Sequence, residues 1–244
     1  MTRGALVLVG SGEFTTAMDG VDRQLLDTLR PRARVAIVPT AAGLEDTPNE
    51  WLAKGSDHFR ALGAEPVRVA VLDRDDAHDA RWRDAIAGVD WIYFSGGDPG
   101  HVVETLEGSP FWSAVIERHR RGAILAGSSG GAMMLGQTTF VPSDRGPDGF
   151  PRKVTTRRAL GLVREVVVAP HFDILPPGLL RLWADIVPAD HRVLGIDEDT
   201  ALVQRDGGWD VRGKGRVLLF RPLDEPVVYR AAARVDALVL GALP

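Results

Sequence analysis

The chain has 244 residues, of which 45% are hydrophobic and 25% are charged, and its formal net charge is −4. This composition is typical of a soluble globular protein. The absence of cysteine excludes disulfides, thiolate zinc sites and cysteine nucleophiles. The mildly acidic charge balance argues against nucleic acid or an anionic membrane as a partner.

No segment approaches the roughly 20 apolar residues that are needed to cross a bilayer. The first apolar run, residues 5–9, is too short for a signal-peptide core and continues directly into Gly10-Ser-Gly12. We therefore expect a buried first strand, no membrane partner and a cytoplasmic location.

Short apolar runs alternate with helix-compatible segments along the first part of the chain. The runs are residues 5–9, 34–38, 67–72, 91–94 and 123–126. Continuous apolar runs, in contrast to alternating ones, predict strands that are covered on both faces. Helices are predicted at residues 47–62 and 111–120. The alternation predicts a single domain over residues 1–244, an α/β fold of three layers with one doubly wound, mostly parallel sheet.

The last third of the chain contains shorter runs separated by turn residues. They are residues 193–196, 200–204, 209–212, 216–220 and 226–229. This pattern predicts antiparallel edge strands or hairpins added to the same sheet. Residues 142–151 are rich in proline, glycine and aspartate, which predicts a mobile surface loop and a candidate lid. Edge strands and an exposed Trp112 could form a two-fold homodimer interface.

An apolar strand that runs into Gly127-Ser-Ser129-Gly-Gly131 is the main catalytic signal. The Gly-x-Ser-x-Gly form is typical of a nucleophile elbow, where a serine on a strained strand-to-helix turn exposes its hydroxyl. The N–H groups that follow the serine lie at a helix N-terminus, which favours a developing oxyanion. A structural glycine-rich loop or a phosphate-binding loop is the alternative.

His171 directly follows the apolar residues 166–169. It is expected near Ser129, because ligands of open α/β sheets bind outside the carboxyl ends of the strands. A strand-end histidine alone is as consistent with a structural role as with a catalytic one, and a nearby serine that needs a base favours catalysis. Most of the other histidines stand in polar or helical settings, which predicts solvated positions for His58, His78, His119 and His191.

Three consecutive acidic residues, Asp197, Glu198 and Asp199, separate two predicted strands. A solvated turn is the ordinary interpretation of such a cluster. Alternatively, one carboxylate orients the His171 ring and stabilises its protonated form, a role for which Asp173 is a rival. An acid that follows the histidine does not fit the α/β-hydrolases, whose order is serine, acid, histidine.

Four motifs together resemble those of the serine peptidase family of cyanophycinase and dipeptidase E. They are Phe94-Ser-Gly96-Gly97-Asp98, Gly127-Ser-Ser129-Gly-Gly-Ala132, His171-Phe172 and the Gly-Ile-Asp-Glu-x-Thr-Ala run of residues 195–201. The resemblance implies the class I glutamine amidotransferase-like (flavodoxin-like) fold, with serine where the amidotransferases carry cysteine. A glutamine amidotransferase itself is excluded, because this chain has no thiol.

The resemblance also implies a role for each matching residue. Ser129 would be the nucleophile, His171 the general base and acid, and Glu198 the acid that orients the histidine. Gly97 and Gly130 would offer the N–H groups of the oxyanion hole. The implied substrate-binding positions are Asp98, Pro99, Ser128 and Asp173. Such a mechanism needs no metal or other cofactor.

Two of these motifs depart from the family pattern. Members often carry Asn-Gln where this chain has Asp98-Pro99, and alanine is usual where this chain has Gly130. Aspartyl dipeptides are the family's commonest substrates, and an acidic side chain would need a cationic donor in the pocket. The candidate donors are Arg145, Arg152 and Arg181. Asp98 would favour a basic group or a free α-amine.

The predicted function is therefore serine-type hydrolysis of small peptides, with aspartyl dipeptides favoured and a small peptide as the partner. Another acyl hydrolase built on the same triad remains an alternative, as does a non-catalytic binding member of the fold, because a fold does not determine a function.

Overall fold

A computed structural model describes residues 3–145, 151–175, 183, 185–205, 207–221 and 224–236, which form a mixed α/β fold. The strands are β1 (Leu6–Val9), β2 (Arg34–Val38), β3 (Glu65–Arg68), β4 (Trp91–Phe94), β5 (Ile124–Ser128), β6 (Gly136–Arg145), β7 (Pro151–Arg158), β8 (Val163–Ala169), β9 (Arg192–Ile196), β10 (Thr200–Arg205), β11 (Gly208–Gly213), β12 (Arg216–Phe220), β13 (Val227–Arg230) and β14 (Arg234–Asp236). The helices are α1 (Asp19–Leu26), α2 (Pro48–Ala61), α3 (Ala80–Ile86), α4 (Pro99–Leu106), α5 (Pro110–Arg120) and α6 (Gly130–Met133).

The first sheet contains the strands that the apolar runs predict. In the described part of the chain its order is β14-β11-β10-β1-β5-β4-β2-β3. The neighbours from β1 to β3 in this order are parallel, whereas β10, β11 and β14 extend the sheet as antiparallel strands. The predictions of a parallel core and of antiparallel C-terminal edge strands are both confirmed for this sheet.

Both faces are covered in the centre of the first sheet, which is why β1 and β4 are apolar along their whole length. In β1, Val7 and Val9 join a core cluster with residues of α1 and α2. Leu6 and Leu8 face the opposite side, in a cluster with residues of α4 and α5. The carboxyl ends of the parallel strands therefore open between two buried layers.

The prediction of one sheet is wrong, because a second sheet packs against the first. Its order within the described residues is β13-β12-β9-β8-β6-β7, and its parallel pairs are β6·β8 and β8·β9. Val166, Val168 and Leu219 of this sheet share a core cluster with Leu8 and Phe94 of the first sheet. The second sheet thus covers part of the same face as α4 and α5.

The loop predicted at residues 142–151 is partly wrong. Its first residues continue β6 and its last residue begins β7, so the two strands pair as an antiparallel hairpin. Residues 146–150 lie outside the described residues.

None of the described helices is both long enough and apolar enough to cross a membrane. Trp112 is half-buried, with its ring centroid 6.1 Å from that of Phe94, so its predicted exposure is wrong.

Three of the four histidines predicted at the surface are buried. His58 is a buried residue of α2, and its Nε2 is 2.7 Å from Oδ2 of Asp22 in α1. His191 contacts Thr138, and His119 is 3% exposed at the end of α5. Only His78 of this group is exposed. The polar sequence neighbourhoods of His58 and His191 did not reveal their burial, because both rings contact residues distant in the chain.

His119 is expected to make stability depend on pH. Burial lowers the pKa of its ring below the ordinary value of 6.5, and its hydrogen bond to the Ala123 carbonyl opposes this only in part. The unfolded chain therefore binds a proton near pH 6.5, whereas the folded chain does so only at lower pH. The stabilising contribution is complete above 6.5 and is lost as the pH falls toward the folded-state pKa. His119→Gln should flatten the decline of the unfolding free energy between pH 7.5 and 5.5 (measured in urea).

His78→Gln is the matched control for this experiment. His78 also hydrogen-bonds a backbone carbonyl, that of Arg74, but it is exposed. Its replacement should leave the pH dependence unchanged. A slope that is equally steep in wild type and His119→Gln would contradict the assignment.

Candidate active site

Ser129 lies on the turn between β5 and α6, and its backbone conformation is strained. Its φ of 49° and ψ of −119° are a conformation that residues with a side chain rarely adopt. The turn is held by neighbouring backbone, since Ser129 N–H donates to the Val9 carbonyl of β1 at 3.0 Å. The predicted strand–serine–helix context is therefore present, and the hydroxyl points away from the sheet toward His171.

His171 follows β8 in the second sheet and has a left-handed backbone conformation, with φ of 52°. Its Nε2 lies 2.9 Å from Ser129 Oγ. Its Nδ1 lies 2.7 Å from Glu198 Oε1. Because the carboxylate can only accept, Nδ1 carries the proton and Nε2 is free to accept from the serine hydroxyl. The structure brings together the three residues that the resemblance implied as a triad.

The acidic cluster resolves into three side chains with different partners. Glu198 alone contacts His171, while Asp197 pairs with Arg216 at 2.8 Å and Asp199 with Lys214 at 3.2 Å. The cluster is thus neither a simple solvated turn nor a shared carboxylate site.

Asp173, the rival for the orienting role, holds Glu198 in place. Its Oδ1 accepts from the Glu198 N–H at 2.8 Å. In the part of the chain that the structure describes, no hydrogen bond or ion pair joins Asp173 to the His171 ring, and Asp173 does not line either cavity beside Ser129. Its substrate-binding role stays a prediction, and the contact that the structure shows is with the Glu198 backbone.

Gly97 and Gly130 place two backbone N–H groups beside Ser129. A Cβ built on Gly130 would lie 2.2 Å from the Gly97 carbonyl oxygen and 3.3 Å from the Gly97 nitrogen. This close approach explains why glycine replaces the family's usual alanine at position 130. Within the described ranges no backbone acceptor engages either N–H group, so both are available to an oxyanion.

Glu13 is a functional candidate that the sequence reasoning missed. It is 8% exposed, its Oε1 accepts from the Gly96 N–H at 2.9 Å, and its Oε2 accepts from Ser128 Oγ at 2.7 Å. The carboxylate thus joins the turn before Gly97 to the turn before Ser129. The signal available in the sequence was a lone acid just beyond the end of the first strand, in Gly10-Ser-Gly12-Glu13.

Ser128 does not have the substrate-binding role that was predicted for it. The residue is completely buried and its hydroxyl donates to Glu13. Tyr93, nearby in β4, is also buried, and burial together with the Asp22 and Glu13 carboxylates raises the pKa of its hydroxyl well above 10.0. Neither side chain is therefore a candidate for proton transfer.

Two cavities meet at Ser129 and His171, both of which line each of them. The first has a volume of about 650 Å³ and mainly apolar walls, and it includes the predicted residues Asp98 and Pro99. Asp98 also caps α4, since its Oδ1 accepts from the His101 N–H at 2.9 Å. The second, of about 620 Å³, is lined by Glu13, Trp51 and Lys54 among others.

The predicted arginine donors are not among the described contacts of either cavity. Arg181 lies outside the described residues, and so do the side chains of Arg145 and Arg152. In the part of the chain that the structure describes, no group of three or more histidine, aspartate or glutamate side chains could hold a metal ion.

Comparison with known proteins gives consistent results. The sequence model of Peptidase family S51 matches residues 6–212. The cyanophycinase of Trichormus variabilis is 28% identical over 91% of this chain and 75% of its own length. The cyanophycinase of Synechococcus elongatus is 28% identical over 96% of this chain and 72% of its own.

A solved structure shows the same fold. The crystal structure of a peptidase from an acI-B1 actinobacterium superimposes with a TM-score of 0.81 and 31% identity, over 96% of this chain and 97% of that one. The family match covers every element from β1 to β10, most of β11 and all the residues of the hydrogen-bonded chain at Ser129. This protein therefore belongs to peptidase family S51.

Proposed function

We propose that the protein is a serine peptidase that hydrolyses amide bonds of small peptides with Ser129, His171 and Glu198. The observation that carries the proposal is the continuous hydrogen-bond chain through the His171 ring, of 2.9 Å on the serine side and 2.7 Å on the glutamate side. Membership of the family supports peptide hydrolysis, and the two cavities that meet at Ser129 support a substrate with a group in each of them.

Acylation begins when Ser129 Oγ attacks the scissile carbonyl carbon. The C–O bond forms while the hydroxyl proton passes to His171 Nε2, and the Gly97 and Gly130 N–H groups donate to the oxyanion. The C–N bond then breaks, and the leaving amine takes the proton from His171. Glu198 keeps the ring in the required tautomer and stabilises the imidazolium that forms between these steps.

Deacylation repeats these steps with water. His171 accepts a proton from the water as its oxygen attacks the acyl-enzyme, and it returns that proton to Ser129 Oγ as the ester bond breaks. The carboxylic acid product leaves and the serine hydroxyl is restored. His171 is half-exposed, so water can reach the ester once the amine product has left.

Finer features of the proposal come from the resemblance. They are the class I glutamine amidotransferase-like arrangement, a single catalytic domain over residues 1–244, and dipeptides as substrates. The family's preference for aspartyl dipeptides has little support in the first cavity, whose described polar lining includes the carboxylates of Asp98 and Glu45. The described lining of that cavity contains no lysine or arginine.

Fluorophosphonate labelling and a substrate panel test the proposal together. An activated serine should form a covalent adduct, which peptide mass spectrometry should place on Ser129, and the same protein should release amino acids from dipeptides. Ester hydrolysis without peptide hydrolysis would favour another acyl hydrolase. A well-folded protein with neither adduct nor turnover would favour the non-catalytic alternative.

A further inference from the structure

The first cavity has walls suited to a large apolar side chain. Phe140 and Trp183 form a stacked aromatic pair in its lining, with ring centroids 4.6 Å apart. Leu44 and Ile174, which also line it, are 71% and 52% exposed, although large apolar side chains in this protein are mostly buried. A substrate side chain that covered these surfaces would be stabilised, because it would remove their apolar area from water.

One carboxylate in this cavity has capacity for a substrate cation. Asp98 is half-buried and directly follows Gly97, whose N–H is proposed to hold the oxyanion. One of its oxygens accepts from the His101 N–H, and no ion pair involving Asp98 is present among the described residues. In an N-terminal residue the α-ammonium nitrogen is two bonds from the carbonyl carbon, so a peptide bound with that carbonyl oxygen at the Gly97 N–H would place its ammonium close to Asp98.

The second cavity contains a positively charged side chain, that of Lys54. Lys54 lies there with its Nζ 5.3 Å from the centre of the Trp51 ring, and its only described ion pair is a 4.0 Å contact with the exposed Glu50. The acidic residue in the same cavity, Glu13, is already engaged by two donors. The Asp98 carboxylate in the first cavity and the Lys54 ammonium in the second are thus complementary to the α-ammonium and the carboxylate of a zwitterionic dipeptide.

From these observations we propose that the site selects dipeptides whose N-terminal residue is large and apolar, with its free α-ammonium at Asp98. The side chain of that residue lies in the first cavity and the C-terminal carboxylate lies toward Lys54. This inference rests on the proposed serine peptidase function and replaces an acidic preference by an apolar one.

The test compares hydrolysis of Phe-Ala, Leu-Ala, Ala-Ala, Asp-Ala and N-acetyl-Phe-Ala by kcat/KM. Phe-Ala and Leu-Ala should exceed Ala-Ala and Asp-Ala by about tenfold or more, because a filled apolar pocket discriminates on this scale. Acetylation of Phe-Ala should lower kcat/KM by about 10- to 100-fold, the usual loss for a hydrogen bond to a charged group.

Asp98→Asn separates the ammonium contact from folding, because asparagine caps a helix as well as aspartate does. The variant should lose most of the difference between Phe-Ala and its acetylated form. Asp79→Asn is the matched control, since Asp79 caps α3 in the same way and does not line either cavity. That variant should behave as wild type.

Preference for Asp-Ala, or equal rates for the free and acetylated peptides, would overturn the inference while leaving the serine peptidase intact. Absence of turnover on every peptide, together with absence of a fluorophosphonate adduct on Ser129, would overturn both.

Discussion

Ser129→Ala should abolish peptide hydrolysis, with a fall in kcat of roughly 10⁴- to 10⁶-fold. The variant keeps the cavities and the two N–H groups but has no oxygen to form the acyl-enzyme. Its free energy of unfolding should change little, because alanine and serine are equally strained in this backbone conformation. The one hydrogen bond that is lost, to His171, is partly exposed and contributes about 1 kcal/mol. Amino acid release and thermal unfolding, measured on the same preparation, check both expectations.

Ser113→Ala provides the control for this substitution. Ser113 also donates its hydroxyl to one partner, the Ser109 carbonyl, but it lies on α5 away from both cavities. The double variant Ser129→Ala/His171→Ala should be no slower than Ser129→Ala alone, because residues that act as one unit are not additive. Full activity in Ser129→Ala would refute the proposed mechanism.

Gly97→Ala should lower kcat by about 10²- to 10³-fold, the usual loss for one oxyanion-hole donor. The Gly97 φ of +136° is unfavourable for alanine, and the new Cβ would lie 2.3 Å from both the carbon and the oxygen of the Ala41 carbonyl. The clash is with backbone atoms, which a rotamer change cannot relieve. The turn must therefore shift, and this shift carries the Gly97 N–H away from the oxyanion. Steady-state kinetics should show the loss mainly in kcat.

Gly108→Ala separates the effect of position from that of backbone strain. Gly108 also has a positive φ, of +68°, but a Cβ there would have open space around it. The control should lose about 1 kcal/mol of stability and keep its kcat. Equal activity in wild type and Gly97→Ala would show that this N–H does not serve as an oxyanion donor.

The sequence predicted the fold correctly where a local pattern is compatible with a single kind of structure. Continuous apolar runs such as residues 91–94 predicted parallel strands correctly, because a strand covered on both faces cannot alternate. The second sheet was missed since the runs in β8 and β9 look the same whichever sheet receives them. Pairing partners far apart in the chain, and not local pattern, decide between the two.

The same distinction applies to the site. Ser129, His171 and Glu198 were identifiable because each follows a strand and each matches a motif, although their catalytic roles remain predictions. Glu13 has no such spacing signal, as its two partners lie 83 and 115 residues further along the chain. The resemblance implied a substrate-binding role for Ser128, yet its side chain is completely buried and its hydroxyl donates to Glu13.

The hydrogen-bonded chain at Ser129 crosses the junction between the two sheets. Ser129 extends from β5 of the first sheet, His171 from β8 of the second, and Glu198 lies in the connection that leads from β9 to β10. Neither sheet alone contains a nucleophile together with its base. The alignment of the reacting atoms therefore depends on how the two sheets pack together. A substitution in the apolar layer between them that shifted one sheet against the other by a fraction of an ångström would slow the reaction, although the substituted residue does not contact the substrate.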